Sequence, residues 1–454
     1  MSSGARKAEA AAAARGRPSF RADPVRDVRG RIAVPGDKSI SHRALMLGAV
    51  AEGTTRIRGF LEGEDCIATR RALEALGVPI ADEGPGALRV SGVGPSGLAA
   101  PSHALDLGNS GTAMRLLTGL LAAQPFDSEL TGDDSLRRRP MERVAAPLRA
   151  MGARIETRDG KAPIRIRGGA RLHGIEYALP VASAQVKSAL LLAGLYARGR
   201  TVLRSPGPSR DHTERMVRSL GADLDVADGG LTVALEGPQT LRAAGHIEVP
   251  GDFSSAAFFI VAGCLGAKDG LTIEHVGVNP TRTGLLEILE AMGAEIELRN
   301  PRSAGAEPIA DLHVKAVALR GIEVPPELVP LAIDEFPILF IAAAAAQGKT
   351  VVRGAEELRH KESDRIAVMA QGLRALGIGV EERPDGLVIE GGRFRGGTVD
   401  SRGDHRVAMA FAVGSLVSDG PIEILNTAEV ATSFPEFTRV AAACGLEISV
   451  QEAA

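Results

Sequence analysis

A single pattern recurs six times along this chain. In the first copy RIAV reads as a strand, PGD as a turn and SHRALMLGAV as a helix with few charges. EGTTRIRG then returns as a strand, CIATRRALEALG forms a second, more amphipathic helix, and VPI and ALRVSG close the unit as strands, giving βαβαββ. The same order starts again at LDLGNSGTAMRLL, LPVASAQVKSALLL, VPGDFSSAAFFIV, LAIDEFPILFIAA and VDSRGDHRVAMAF. The anchors Pro35, Leu107, Pro180, Pro250, Ile333 and Arg402 lie 72, 73, 70, 83 and 69 positions apart. A period of this kind makes each copy one supersecondary unit that buries its apolar face against its neighbours. The glycine ending ALG, AMG, SLG or CLG suits the left-handed conformation that releases a helix into a strand.

The first helix of each unit is nearly uncharged after its opening turn, so it is expected to be buried on most sides. The second carries an exposed face, as Arg70, Arg71 and Glu74 illustrate. Six such units imply an α/β protein of two pseudo-threefold domains, each with three buried helices ringed by outer helices and short sheets. VPGD opens the first and fourth copies, so crossings between domains are expected near 34–37 and 249–252. The first domain then covers 36–250, and the second covers 251–454 together with 28–35. Residues 1–27, rich in alanine, arginine and glycine, read as a flexible tail without the apolar core of a secretory signal. A cleft between two such domains is the default ligand site.

Composition narrows the function. A formal charge of -3 and 3% aromatic content with no tryptophan argue against a nucleic-acid partner. Apolar runs such as FPILFIAAAAA fall short of the roughly 20 residues that span a bilayer, so no membrane partner is expected. Cys66, Cys264 and Cys444 lie far apart without CxxC spacing, which suits buried thiols in a reducing, cytoplasmic setting. Scattered histidines and the absence of Walker or GxGxxG patterns lead to no expected metal or cofactor.

Chemistry concentrates where the buried helices begin, because a helix start offers unpaired amides and a positive dipole end to an anion. GDKSISHR supplies Lys38, Ser39, Ser41, His42 and Arg43, GNSGT supplies Asn109, Ser110, Gly111 and Thr112, and ASAQVKS supplies Ser183, Gln185 and Lys187. In the other half IDE supplies Asp334 and Glu335, and DHR supplies Asp404, His405 and Arg406. GDDSLRRRPM adds Arg137, Arg138 and Arg139, whose guanidinium forks suit carboxylate or phosphate. ELRHKESDRI adds Lys361, Glu362 and Arg365, and on a helix Lys361 and Arg365 would share one face. A plain Glu362–Arg365 pair is the competing reading of that segment.

Taken together, PGDKSISHR, GNSGTAMR, SAQVKS, DEFPILFIAAAAAQG, KESDR and DHRVAMA resemble the EPSP synthase family, over essentially residues 28–450. The resemblance implies the two-domain enolpyruvyl transferase fold and transfer of the enolpyruvyl group of phosphoenolpyruvate to the 5-hydroxyl of shikimate 3-phosphate, with loss of phosphate. It implies Lys38, Gly111, Arg139, Gln185, Lys361, Arg365, His405 and Arg406 on the phosphoenolpyruvate side. Lys38, Ser39, Arg43, Ser183, Ala184, Gln185, Arg210, Asp334 and Lys361 are implied for shikimate 3-phosphate. Asp334, Glu362 and Lys38 are the implied proton-transfer groups. A monomer acting in the cytoplasm, without cofactor, is expected.

The chain departs from many relatives at three places: Thr432 or Ser433 replaces a lysine, Leu116 replaces a proline, and Ala184 replaces a second serine. These traits are similar to the branch that includes glyphosate-tolerant bacterial enzymes, yet Gly111 lacks the methyl group that excludes glyphosate there, so sensitivity is expected. UDP-N-acetylglucosamine enolpyruvyl transferase is the related alternative, disfavoured by the absence of cysteine in GDDSLRRRPM. A noncatalytic anion-binding scaffold is the other, and it would have no use for Asp334 and Glu362 beside the cations.

Overall fold

The structure is a computed structural model that describes residues 18–451. It separates into two compact units: one is Gly36–Pro250 with Ser303–Pro308, and the other runs to Pro35 and resumes over Gly251–Arg302 and from Ile309 onward. Each unit has its own apolar core.

The Gly36–Pro250 unit is built on the helices Lys38–Val50, Gly111–Leu121 and Ala184–Gly194. From Ile40 to Val50 every residue of the first is buried. Such a helix has no polar face to offer water, so its place is the centre of the unit. The second unit repeats the plan with Phe253–Gly266, Phe336–Ala345 and His405–Val413. Outer helices such as Glu64–Ala75 bury one side only and keep Arg71 and Glu74 outside.

Among the described residues six small sheets surround these helices, and five of them have four strands. In each four-stranded sheet the first strand of the repeat runs parallel to the second, and the fourth lies antiparallel between the second and third. Glu176–Ala178, Gly199–Arg204, Thr232–Gly237 and Leu224–Ala227 follow this order. The three-stranded sheet of the fifth copy keeps only isolated parallel bridges, Arg320 to Gln347 and Glu323 to Val351, in place of its first strand.

Two findings revise the sequence reading. First, RIAV leaves the first copy in which it was read, in keeping with the grouping of 28–35 with 251–454: Gly30–Ala33 pairs with Leu271–Gly277, while His246–Glu248 pairs with Glu52–Arg58. Each therefore completes the sheet of the other's repeat. Second, the flexible tail assigned to 1–27 is wrong for its last part, because Ser19–Asp23 is a strand between Ile422–Leu425 and Glu447–Gln451. It fills the fourth-strand position that the sixth copy lacks at its own end. Phe20 and Ala22 are buried, and the Phe20 ring stacks on Phe437 at 6.1 Å, so apolar burial fixes a segment whose surroundings read as disordered. The rest of the tail reading, residues 1–17, lies outside the described residues.

The repeated PGD has a local cause. The Asp37 carboxylate accepts from the Ile40 amide at 2.9 Å, and Asp252 accepts from the Ser254 and Ser255 amides at 3.3 and 3.2 Å, so both aspartates cap their helices. A Cβ on Gly36 would stand 1.7 Å from the Gly59 carbonyl oxygen, which leaves only glycine before the first cap. All three cysteines are buried thiols. Among the described residues no helix is long and apolar enough to cross a membrane.

Candidate active site

In the Gly36–Pro250 unit the first turns of the three central helices meet, because short polar side chains tie them together. Gln185 donates to Thr112 Oγ1 at 2.9 Å and accepts from Arg115 Nη1 at 2.7 Å. Arg43 reaches Ser188 Oγ at 2.8 Å, Thr213 Oγ1 at 2.7 Å and the Ser39 carbonyl at 2.9 Å. Burial pushes the Arg43 guanidinium down to about 10, with Glu214 and Asp37 opposing, so it stays charged at neutral pH. Arg210 is half-buried on the following loop, close enough that its charge weighs on Arg43.

Lys38 stands at the first position of its helix, with Nζ 3.0 Å from Asp65 Oδ2. Asp133 caps the short helix Asp134–Arg138, which ends at Arg139. The Arg139 guanidinium donates to Asn109 Oδ1, beside the start of Gly111–Leu121. A Cβ on Gly111 would lie 2.8 Å from Arg115 Nη1 and 3.1 Å from Arg139 Nη1, so the glycine leaves that helix start open to two guanidinium groups. Ser183 caps the third helix through the Val186 amide at 3.4 Å, and Ala184 and Gln185 form its first turn. Lys38, Ser39, Arg43, Gly111, Arg139, Ser183, Ala184, Gln185 and Arg210 thus lie on neighbouring helix starts and loops of one unit.

Lys187 does not join them. Its ammonium is 2.6 Å from Glu214 Oε1, and the two side chains are 2% and 5% exposed. One turn into the helix it has rotated from the opening into the core, where Glu214 compensates its charge.

The second unit gathers acids as well as bases. Arg365 is 1% exposed and has Nε 2.8 Å from Asp404 Oδ2, Nη2 2.7 Å from Glu362 Oε2 and Nη1 3.5 Å from Asp334 Oδ1. Burial opposes its charge, but Asp404, Glu362 and Asp334 more than reverse that, leaving its pKa above the ordinary arginine value. Burial likewise works against ionised Asp404. Arg365 and His405 overcome it, assisted by the Arg365 hydrogen bond, and the carboxyl lies below its ordinary range. Asp404 also caps His405–Val413 through the Arg406 amide at 3.0 Å and accepts from Ser363 Oγ at 3.0 Å. Lys361 Nζ is 3.8 Å from Asp334, and Arg406 Nη1 is 3.3 Å from the Asp334 carbonyl. His405, buried in the first turn, lies beside Asp404 and Arg406.

The shared helical face expected for Lys361 and Arg365 is absent. Lys361 has extended backbone, and the helix begins only at Arg365, capped by Asp364 through the Ala367 amide at 3.0 Å. Asp364 stops the helix from reaching back, so Lys361, Glu362 and Ser363 form a loop that brings Glu362 onto Arg365. The Glu362–Arg365 pair, the competing reading of the segment, is present at 2.7 Å.

Several neighbours had no assigned role in the sequence reading. Asp65 holds Lys38, and Arg115 holds Gln185. Buried Arg282 joins the second VPGD copy, with Nη2 2.7 Å from Ser254 Oγ, 3.4 Å from Asp252 Oδ1 and 3.8 Å from Glu335 Oε1. The arginine at the end of GNSGTAMR was a usable signal, while Asp65 and Arg282 carried none by themselves. Thr432 and Ser433, at the place of the missing lysine, are buried, and Thr432 Oγ1 donates to the Glu429 carbonyl at 2.7 Å. Among the described residues no group of three His, Cys, Asp or Glu is arranged to hold a metal ion.

The arrangement has known counterparts. The enolpyruvyl transferase NikO from Streptomyces tendae shares the fold with a TM-score of 0.78 at 19% identity, over 97% of this chain and 100% of that one. The two-unit α/β architecture is thus the enolpyruvyl transferase fold. The family is fixed more narrowly by a match of residues 22–440 to the model of EPSP synthase (3-phosphoshikimate 1-carboxyvinyltransferase). A 3-phosphoshikimate 1-carboxyvinyltransferase of Methylococcus capsulatus is 58% identical over 95% of this chain and 98% of its own length. That of Alkalilimnicola ehrlichii is 57% identical over 95% and 96%. The solved EPSP synthase of Acinetobacter baumannii has a TM-score of 0.87 at 52% identity, covering 96% of this chain and all of its own. The chain belongs to the EPSP synthase family.

Proposed function

We infer that the protein transfers the enolpyruvyl group of phosphoenolpyruvate to the 5-hydroxyl of shikimate 3-phosphate, forming 5-enolpyruvylshikimate 3-phosphate and inorganic phosphate. Family membership supports the reaction. The observation that carries its chemistry is Arg365 with Glu362 at 2.7 Å and Asp334 at 3.5 Å, two carboxylates oriented by one buried cation.

In this reading Asp334 acts at the reacting hydroxyl, and Glu362 exchanges the proton of the vinyl methylene as the tetrahedral intermediate forms and collapses. Lys38, Arg139 and Arg406 hold the anionic ends of phosphoenolpyruvate, with Lys38 also serving proton transfer. Lys361 and His405 complete the positive field. Ser39 and Arg43 take the shikimate carboxylate, Ser183, the Ala184 amide and Arg210 take its phosphate, and Gln185 lies along the ring. Because Arg365 is already surrounded by carboxylates, its first role is to orient Asp334 and Glu362; it reaches phosphoenolpyruvate only if Glu362 swings away. Preorganised cations of this kind stabilise charge that develops in the transition state. We also place the reaction in the cytoplasm of a monomeric enzyme, a setting that suits three buried thiols.

The test is phosphate release with both substrates and with each alone, with the carbon product identified by NMR. Release only with the pair, and a product carrying the enol ether at the 5-position, is the expected result. Phosphate release from phosphoenolpyruvate alone, or product only from a UDP-sugar acceptor, would overturn the reading.

A further inference from the structure

His42 has no place in the chemistry above, yet it lies at the centre of the Lys38 and Gly111 side of the site. Its Nδ1 is 2.7 Å from Thr69 Oγ1, and its Nε2 is 3.4 Å from Ser110 Oγ. All three side chains are fully buried. The hydrogen-bond directions follow from the partners at each end. Thr69 Oγ1 donates to the Asp65 carbonyl at 3.4 Å, so it accepts from an Nδ1–H. Burial keeps the imidazole neutral, so with its proton on Nδ1 the Nε2 accepts from Ser110 Oγ, which itself accepts the Ala113 amide at 3.1 Å. The chain of donors therefore runs from the Ala113 amide through Ser110, His42 and Thr69 to Asp65, and it closes only with a neutral, Nδ1-protonated imidazole. Burial, then Lys38 and Arg43, with Asp37 opposing, push the imidazole down to about 3 and keep it neutral.

Both ends of this chain are groups of the site. Ser110 caps the helix that begins at Gly111, beside the Arg139 and Arg115 guanidinium groups. Asp65 holds Lys38 at 3.0 Å. Arg43 is anchored independently through Thr213, Ser188 and the Ser39 carbonyl.

We propose that His42 is a positioning residue for phosphoenolpyruvate: through Thr69 it fixes the turn that presents Asp65 to Lys38, and through Ser110 it fixes the start of the Gly111 helix. The inference rests on the reading of Lys38, Gly111 and Arg139 as phosphoenolpyruvate contacts. A residue acting on one substrate's contacts separates the two Michaelis constants, whereas general loosening moves both.

Steady-state kinetics with each substrate varied, on Thr69→Val, His42→Asn and His42→Leu, test it. Asparagine places an N–H donor where Nδ1–H stands, so His42→Asn keeps the phosphoenolpyruvate KM within about threefold of the parent. Thr69→Val and His42→Leu leave buried partners unsatisfied and raise it about tenfold, while the shikimate 3-phosphate KM stays within about threefold. An equal rise in both constants, an unchanged phosphoenolpyruvate KM, or His42→Asn as impaired as His42→Leu overturns the proposal. If His42→Leu does not fold, Thr69→Val and His42→Asn give the same contrast. Lys38→Met checks the underlying assignment: an unchanged phosphoenolpyruvate KM there overturns the assignment and the proposal together. A raised one beside an unaffected Thr69→Val overturns the proposal alone.

Discussion

Arg365 Nε lies 2.8 Å from Asp404 Oδ2, with the two side chains 1% and 0% exposed. Asp404 has a second duty as the cap of His405–Val413, so one carboxylate fixes both the helix start that carries Arg406 and the guanidinium that orients Glu362 and Asp334. Packing, capping and the orientation of the acids all depend on that ion pair.

Asp404→Asn keeps the shape and removes the charge. It leaves Arg365 undercompensated and is expected to cost about 3 kcal/mol of stability, measured by urea unfolding at pH 7. The pH dependence has a definite sign. Asp404 is held below its ordinary value of 3.8, so the unfolded state binds the proton more readily. Its stabilising contribution is complete above that ordinary value and is lost as pH falls through the lower folded value. The stability gap between parent and variant therefore stays constant from pH 7 to about 5 and narrows only in strong acid. A gap that widens on acidification would contradict the assignment.

Glu362→Gln isolates proton exchange, since the amide oxygen can still accept from Arg365 Nη2. Turnover is expected to fall about 100-fold or more, with both Michaelis constants within a few-fold of the parent, because general acid-base catalysis is worth about that much. Urea unfolding should show little change. Turnover near that of the parent would remove Glu362 from the chemistry.

How far these groups were legible in sequence depends on whether their signal was local. Asp37 and Asp252 show themselves as caps because a PGD turn before an apolar run leaves few other roles for the carboxylate. The acids and cations at helix starts were legible for the same reason, since the repeat aligns Lys38, Gly111, Gln185, Asp334 and His405 at equivalent openings. Lys187 passed the same filter and failed in space, because one helical turn rotates a side chain from the opening to the core. Ser19–Asp23 was hidden because its partners lie 400 or more positions later, and only the missing fourth strand of the sixth copy points to it. The KESDR loop was misread because Asp364 caps the helix, and a capping aspartate resembles any other acid in a charged run. Asp65 and Arg282 act wholly through long-range contacts that no local spacing encodes.

Lys187 and Glu214 form a buried pair at 2.6 Å, so the single replacements should be worse than the double. Lys187→Met strands a buried carboxylate and is expected to lose about 3–5 kcal/mol in urea unfolding. Lys187→Met with Glu214→Leu removes both charges and should recover most of that loss, because well-packed apolar replacements of buried pairs are often neutral. A double variant no better than the single would mean that Glu214 is needed elsewhere, for which Arg43 is the nearby candidate, as its charge is favoured by Glu214.

Gly111 tests whether an open helix start sets ligand choice. The parent is expected to be inhibited by glyphosate competitively with phosphoenolpyruvate, since nothing at 111 projects toward Arg115 and Arg139. In Gly111→Ala the new methyl meets Arg115 Nη1 at 2.8 Å and Arg139 Nη1 at 3.1 Å. Both are ends of flexible side chains, so the protein should fold with near-parent stability while the guanidinium groups move aside. One methyl in a closed pocket is worth roughly 10-fold or more against a ligand that needs the space. The glyphosate inhibition constant should therefore rise by about that factor, with a smaller rise in the phosphoenolpyruvate KM. Inhibition kinetics at several phosphoenolpyruvate concentrations measure both. A parent enzyme already resistant to glyphosate would show that Leu116 or the Thr432–Ser433 segment, rather than position 111, closes the pocket.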